Sequence, residues 1–132
     1  MKRLLPAVAI AALLSACAHM HGPASLTLGL PDSGKTINAV VGQTIALRLD
    51  ATPSTGYQWQ VVTQPDPITM IVTDSGYDRP ASDAPGAPGQ AWWKLRTTGT
   101  GTTTFAVRYV RPWAPEPDAK QFTLTVNVKA RK

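Results

Sequence analysis

The chain has 132 residues, 43% of them hydrophobic and 16% charged, which suits one globular domain and excludes an intrinsically disordered chain. Its ten glycines and twelve prolines disfavour a long helical bundle, and its single cysteine excludes an internal disulfide framework and a cysteine-built zinc site. The formal net charge of +5 comes from basic residues that are scattered along the chain, so nucleic acid is not a predicted partner.

The first segment has the pattern of an export signal. Lys2 and Arg3 precede an apolar stretch, residues 4–14, and the small residues Ser15 and Ala16 follow before Cys17. An apolar stretch of this length is too short for a membrane span, which needs about 20 residues. The pattern therefore predicts a secretory signal that is removed on export.

The end of this segment, Leu14-Ser15-Ala16-Cys17, resembles the lipobox of bacterial lipoproteins. The resemblance implies that residues 1–16 are cleaved, that Cys17 carries the lipid anchor, and that residues 17–24 are a tether. Because Ala18 rather than an aspartate follows the cysteine, it also implies the outer membrane, on its periplasmic or surface face. A plain cleaved signal beside an incidental cysteine is the alternative.

Residues 25–132 are predicted to form an all-β domain. One apolar face per strand predicts two sheets packed face to face, and hence an immunoglobulin-like β-sandwich of seven to eight short antiparallel strands. Alternating apolar and polar residues, separated by turn residues, mark strands at 25–30, 36–41, 44–50, 57–61, 68–73, 92–97, 102–110 and 121–129.

The large aromatic residues are assigned to this sandwich by their strand positions. Trp59 is expected to fill the centre of the core, and Trp93 to lie in the core with Leu95. Because neighbouring residues of a strand point to opposite faces, Trp92 is expected on the outside. Tyr109 is expected in the core with its hydroxyl reaching a loop.

Three loops combine stiff backbone with side chains suited to binding, and loops carry function more often than strands do. The first, residues 52–57, reads Thr-Pro-Ser-Thr-Gly-Tyr and places Ser54 and Thr55 at its tip. The second, residues 83–90, is the later part of a Pro- and Gly-rich stretch that covers about residues 78–90. The third, residues 111–113, reads Arg-Pro-Trp and shows the two residue types most enriched at binding hot spots.

The order and spacing of these loops resemble the chagasin-type inhibitors of papain-like cysteine peptidases. The resemblance covers residues 25–129 and implies a wedge of three loops that occludes the active-site cleft by tight, reversible binding without a cofactor. The protease contacts it implies are Pro53, Ser54, Thr55, Gly56 and Tyr57 in the first loop, Gly86, Ala87, Pro88 and Gly89 in the second, Trp92 beside it, and Arg111, Pro112 and Trp113 in the third.

Two departures from that family's pattern stand out. Thr52 replaces the usual asparagine at the start of the first loop, and Ser54 a usual threonine; both are expected to retain an oxygen that caps the turn. In the second loop Pro88 interrupts the usual run of glycines. Proline lacks an N–H and restricts the residue before it, so affinity and enzyme preference are the properties at risk.

Catalysis and metal binding are not predicted. His19 and His21 lie in the tether, so the domain itself offers no Ser-His-Asp or Cys-His set, and the two histidines lack a third ligand for a metal. Two further hypotheses use the same monomeric sandwich. One is a non-inhibitory envelope binding module, such as an adhesin or an assembly lipoprotein, and the other is a purely structural lipoprotein.

Overall fold

The computed structural model describes residues 22–114 and 116–132. The predicted signal, Cys17, His19 and His21 lie outside the described residues. In the part of the chain that is described, no helix is long and apolar enough to cross a membrane.

The described residues form eight strands and two short 3-10 turns. The turns are Leu30–Asp32 and Pro53–Thr55. The strands are β1 Leu26–Leu28, β2 Thr36–Val40, β3 Thr44–Ala51, β4 Gln58–Thr63, β5 Met70–Asp78, β6 Gly89–Thr97, β7 Gly101–Val110 and β8 Gln121–Lys129.

The strands form two four-stranded sheets, which confirms the predicted sandwich. One sheet has the order β1-β3-β6-β5 and the other β2-β8-β7-β4. The prediction that all strands pair antiparallel is wrong for two of them. β1 pairs in parallel with β3, and β2 pairs in parallel with β8. β1 and β2 lie at the edges of opposite sheets, so they do not pair with each other. The alternation of apolar and polar residues does not indicate which strand each of them pairs with.

The core lies between the sheets and consists of inward-facing aliphatic and aromatic side chains from both. Phe105 and Phe122 are fully buried at its centre, and the Trp93 ring meets Phe105 edge to face at 6.2 Å between centroids. Leu95 is fully buried beside them, so the predicted core positions of Trp93 and Leu95 are confirmed.

Trp59 is not the central residue of the core, contrary to the prediction. It is only partly buried, because it lies near the start of β4, which is an edge strand. Its Nε1 donates a hydrogen bond to the Asp50 carbonyl at 3.0 Å, and its ring lies 4.9 Å from that of Tyr109. Trp59 therefore closes the space between the sheets beside the first loop.

We expect the Phe105→Ala variant to lower the free energy of unfolding by about 3–5 kcal/mol, because it opens a cavity in a fully buried position. The matched control is Ile68→Ala, which truncates a side chain that is 76% exposed and should change it by less than about 0.5 kcal/mol. Urea unfolding measures both. Equal losses would contradict the assignment of the core.

Candidate functional site

The strand register brings the three predicted loops to one end of the sandwich. Ala51 at the end of β3 pairs with Gly89 at the start of β6, which places the first loop beside the second. Gln58 at the start of β4 pairs with Val110 at the end of β7, which places the first loop beside the third. The first loop is therefore the central one, and we call this end of the molecule the loop end.

The first loop is a single 3-10 turn that ends at a left-handed glycine. The Thr55 N–H donates to the Thr52 carbonyl at 3.0 Å, and the Gly56 N–H donates to the Pro53 carbonyl at 2.9 Å. Gly56 has φ of 85°, a conformation that other residues rarely adopt. Pro53, Ser54 and Thr55 are exposed at the tip.

The cap of this turn differs from the prediction. Thr52 makes no side-chain capping hydrogen bond; instead the Thr55 hydroxyl donates to the Thr52 carbonyl at 2.6 Å. The Thr52 N–H donates to the Tyr109 hydroxyl at 2.9 Å, which confirms the predicted reach of Tyr109 to a loop. Tyr109 is only partly buried and is not part of the core, where it was predicted. The loop can dispense with an asparagine because the Thr55 hydroxyl and the Tyr109 hydroxyl satisfy its backbone.

The third loop is a tight turn with proline in its second position. The Ala114 N–H donates to the Arg111 carbonyl at 3.0 Å, and Pro112 occupies the position where its fixed φ suits a type I or II turn. Trp113 is 71% exposed, yet one edge of its ring lies on Gly56. A Cβ at Gly56 would stand 2.5 Å from Trp113 Cη2. Both the turn and the contact with Trp113 therefore require a glycine at position 56.

Arg111 joins the first and third loops. Its Nε donates to the Thr55 carbonyl at 3.2 Å, and its guanidinium lies 4.4 Å from the centroid of the Tyr57 ring. Tyr57 stacks in turn on Tyr109, at 5.2 Å between centroids. A hydrogen bond, a cation–π contact and a ring stack thus hold the two loops as one unit.

Glu116 adds a further contact that the sequence analysis missed. The Tyr57 hydroxyl donates to the Glu116 carboxylate at 2.6 Å, and this bond is the main reason that the pKa of Tyr57 is raised; partial desolvation acts in the same direction and the Arg111 charge against it. Arg108 Nη2 donates to the carbonyls of Glu116 and Pro117, which fixes that segment. Only the cluster of prolines around Glu116 signals an ordered segment in the sequence.

The second loop is a separate unit. It contains a turn in which the Ala87 N–H donates to the Ala84 carbonyl at 3.1 Å, with Gly86 at φ of 77°. Pro88 is exposed and leads into β6. Gly89 is buried, and a Cβ there would overlap the Asp78 carbonyl and the Tyr77 hydroxyl. The fold alone therefore requires Gly89, whatever a partner also contacts.

Trp92 lies three residues after Gly89 in β6 and lines one cavity with Pro53 and Tyr57 of the first loop. It is on the outer face of the first sheet, as expected, where its ring covers Gly76 and lies 5.7 Å from Lys94 Nζ. Its register partners are Arg48 and Gly76, in the middle of the sheet. Among the described residues, no group of three or more His, Cys, Asp or Glu side chains could hold a metal ion.

The fold is an immunoglobulin-like sandwich with three loops at one end, and residues 38–128 match the family model described as Chagasin family peptidase inhibitor I42. The chain belongs to this family. That membership confirms two predictions, that the protein is a peptidase inhibitor and that it is not an enzyme. It gives no support to the non-inhibitory envelope module.

Individual relatives agree with this assignment. The chain is 29% identical to chagasin of Trypanosoma cruzi over 96 residues, which cover 70% of this chain and 87% of chagasin. It is 32% identical to amoebiasin-1 of Entamoeba histolytica over 104 residues, which cover 79% of this chain and 100% of that protein.

Solved structures show the same fold. The cysteine protease inhibitor EhICP2 of Entamoeba histolytica is similar with a TM-score of 0.66 at 23% identity, over 82% of this chain and 100% of that one. PbICP-C, solved in complex with falcipain-2, is similar with a TM-score of 0.57 at 17% identity, over 80% of this chain and 90% of that one.

We expect the Glu116→Ala variant to lower the pKa of Tyr57 towards its ordinary value of 10.0, because the carboxylate that holds the phenolic proton is removed. In the wild type the Tyr57–Glu116 bond is complete below that ordinary value and is lost as pH rises through the raised pKa of Tyr57. NMR titration of the tyrosine ring carbons measures the shift, with Tyr77 as the internal control. An unchanged Tyr57 titration would contradict the bond.

Proposed function

We propose that this protein inhibits papain-like cysteine peptidases reversibly, by inserting its loop end into the active-site cleft. The observation that carries the proposal is the unit formed by Thr55, Arg111 and Tyr57, which presents a preformed and narrow tip. The target class is supported by the family and by two structural relatives, one named as a cysteine protease inhibitor and one solved with falcipain-2.

The tip suits tight binding because little order has to be gained in the complex. Pro53 and Pro112 restrict the backbone, and the contacts of Arg111 restrict the side chains, so the entropy lost on association is small. Trp113 offers an exposed ring that is already fixed on Gly56. Exposed aromatic anchors of this kind dominate the affinity of many interfaces.

The same contacts explain why the tip would block a peptidase and not be cut by it. A cysteine peptidase needs the scissile carbonyl oxygen to enter its oxyanion hole as the thiolate attacks. The carbonyl of the Thr55–Gly56 peptide instead accepts a hydrogen bond from Arg111, and its N–H is bonded to the Pro53 carbonyl. Both sides of this peptide are therefore held in a turn that differs from an extended substrate.

The three loops have different tasks in the proposed complex. The first loop, residues 52–57, lies over the catalytic cysteine and histidine with Pro53, Ser54, Thr55, Gly56 and Tyr57. The second, residues 83–90, follows the cleft on one side with Gly86, Ala87, Pro88 and Gly89. The third, residues 111–113, contacts the other side with Arg111, Pro112 and Trp113.

We also propose that the protein is exported, anchored by lipid on Cys17, and faces the periplasm or the cell surface as a monomer. The support is the lipobox-like end of the leader, Leu14-Ser15-Ala16-Cys17. Several acyl chains on one cysteine give stable anchoring, where a single chain would give only marginal binding.

Titration of the chain from Cys17 into papain and a lysosomal cathepsin tests the inhibitory function, with trypsin as the control enzyme. We expect inhibition of both cysteine peptidases in the nanomolar range and none of trypsin. Absence of inhibition at micromolar concentration would overturn the proposal.

Two variants then test the loop end. We expect Trp113→Ala to weaken inhibition by about 30-fold or more, since it removes a fixed aromatic anchor, and Thr55→Glu to weaken it by at least about tenfold. Both positions are exposed, so the melting temperature should fall by less than about 4 °C. Ile68→Ala, at the opposite end, is the control for inhibition. Equal inhibition by all three variants would contradict the assigned contact surface.

A variant of Arg111 tests why the tip is not cut. Arg111→Met keeps an apolar chain against Tyr57 but loses the hydrogen bond to the Thr55 carbonyl. We expect papain to cleave this variant slowly within residues 52–57, as measured by mass spectrometry over hours, while the wild type stays intact. Arg96→Met controls for the loss of an arginine. An uncleaved Arg111→Met chain would show that this bond is not what protects the loop.

Expression of the full chain in a bacterium with labelled fatty acid tests the anchor. We expect the wild type to carry the label in the membrane fraction, and the Cys17→Ser variant to carry none. A wild-type chain without label would favour the plain cleaved signal.

A further inference from the structure

The end of the sandwich opposite the loops is where the described chain begins. The Ala24 carbonyl accepts a hydrogen bond from Gln43 Nε2 at 2.8 Å, and the Val41 N–H donates to the Lys129 carbonyl at 3.0 Å. We call this end the base; it comprises residues 22–25, 41–44, 64–71, 96–101 and 129–132. The eight residues of β3 separate the base from the loop end by about 26 Å.

The length of the tether keeps the base close to an anchored Cys17. Ala24, which is fixed to Gln43, lies seven positions after Cys17, and a chain of that length spans at most about 25 Å. A bilayer that holds Cys17 would therefore lie within one domain diameter of the base. At that distance the tether by itself does not set which end of the domain faces the bilayer.

The net charge of the folded domain is concentrated at the base. Arg96, Lys129, Arg131 and Lys132 lie there, against a single acidic residue, Asp66. Of the 13 basic residues of the chain, Lys2 and Arg3 belong to the leader and four lie at the base, and of the 8 acidic residues one lies at the base. The rest of the domain therefore carries seven residues of each sign. The loop end and the sides are thus neutral overall, and the excess of three positive charges belongs to the base.

Exposed isoleucines accompany these charges. Ile68, in the loop between β4 and β5, is 76% exposed, and Ile71 is 37% exposed opposite Arg96 in the register. Basic side chains bind the phosphates of anionic lipids, and apolar side chains among them enter the boundary between headgroups and acyl chains. The combination fits an anionic membrane surface better than it fits water.

We propose that the base is a membrane-contact surface for anionic phospholipids. The proposal rests on the anchor at Cys17 for its geometry, but its chemistry lies in Arg96, Lys129, Lys132 and Ile68. Contact at the base orients the anchored inhibitor with its loops towards the aqueous phase, where a peptidase can reach them. The anchor alone would leave the domain free to lie on its side.

Vesicle binding by the unlipidated chain from Cys17, with its thiol blocked, tests this surface apart from the anchor. The strands of the described residues all lie between Leu26 and Lys129, so removal of the leader leaves these strands intact. Sedimentation with vesicles of phosphatidylcholine and phosphatidylglycerol is compared with phosphatidylcholine alone, at low salt. We expect binding only to the anionic vesicles, and release by about 0.5 M salt.

A base variant, Arg96→Gln with Lys129→Gln and Lys132→Gln, should bind the anionic vesicles about 100-fold more weakly, since each basic residue near such a surface contributes about fivefold. The matched control, Lys35→Gln with Lys94→Gln and Lys120→Gln, removes the same charge elsewhere and should change binding by less than about threefold. The Ile68→Ser variant should also bind the anionic vesicles more weakly than the wild type does.

Equal losses in the base variant and its control, or no preference of the wild type for anionic vesicles, would overturn the proposal. The base variant should inhibit papain as well as the wild type does. If none of these chains inhibits papain, the proposed inhibitory function is contradicted, but the vesicle-binding result still tests the membrane-contact surface.

Discussion

The contact between Arg111 and the first loop is the interaction on which the loop end depends. Its Nε bonds the Thr55 carbonyl and its guanidinium covers Tyr57, so one side chain fixes both the backbone and the aromatic ring of a neighbouring loop. The contact exists because β4 and β7 pair with Gln58 opposite Val110, which brings residues 55–57 and 111–113 together. A different register would leave two independent and flexible turns.

The second loop is held independently of the other two. The two ends of this loop are held by the packing of Tyr77 on Gly89 and by an ion pair of 2.8 Å between Arg48 and Asp78. Its tip is held by a local turn. Changes such as Pro88 can therefore alter what this loop contacts without disturbing the unit made by the other two. The same end of the sandwich thus carries one unit of two linked loops and one separate loop.

The distribution of charge gives the molecule a direction. The loop end and the sides together carry equal numbers of positive and negative charges, whereas the base holds the positive excess and the exposed Ile68. Because the described chain begins at the base, the proposed tether would join the domain at the end that carries the positive excess. In the proposed arrangement, inhibition and attachment use opposite ends and do not compete for the same surface.

The sequence by itself determined the eight strands, since alternation of apolar and polar residues reports which face of a strand is buried. It also determined the three loops and the family, because proline and glycine mark turns locally and the loop motifs are short and contiguous. The burial of Trp93 and the reach of the Tyr109 hydroxyl followed from strand position alone.

The tertiary structure alone decided which strand lies at an edge, and hence that Trp59 is only partly buried and that β1 and β2 pair in parallel. It also decided the partners of Tyr57 and Arg111. Glu116 lies 59 positions from Tyr57, and Thr55 lies 56 positions from Arg111, so no local pattern could relate them. Side chains that far apart meet only because sheet register places their strand ends side by side.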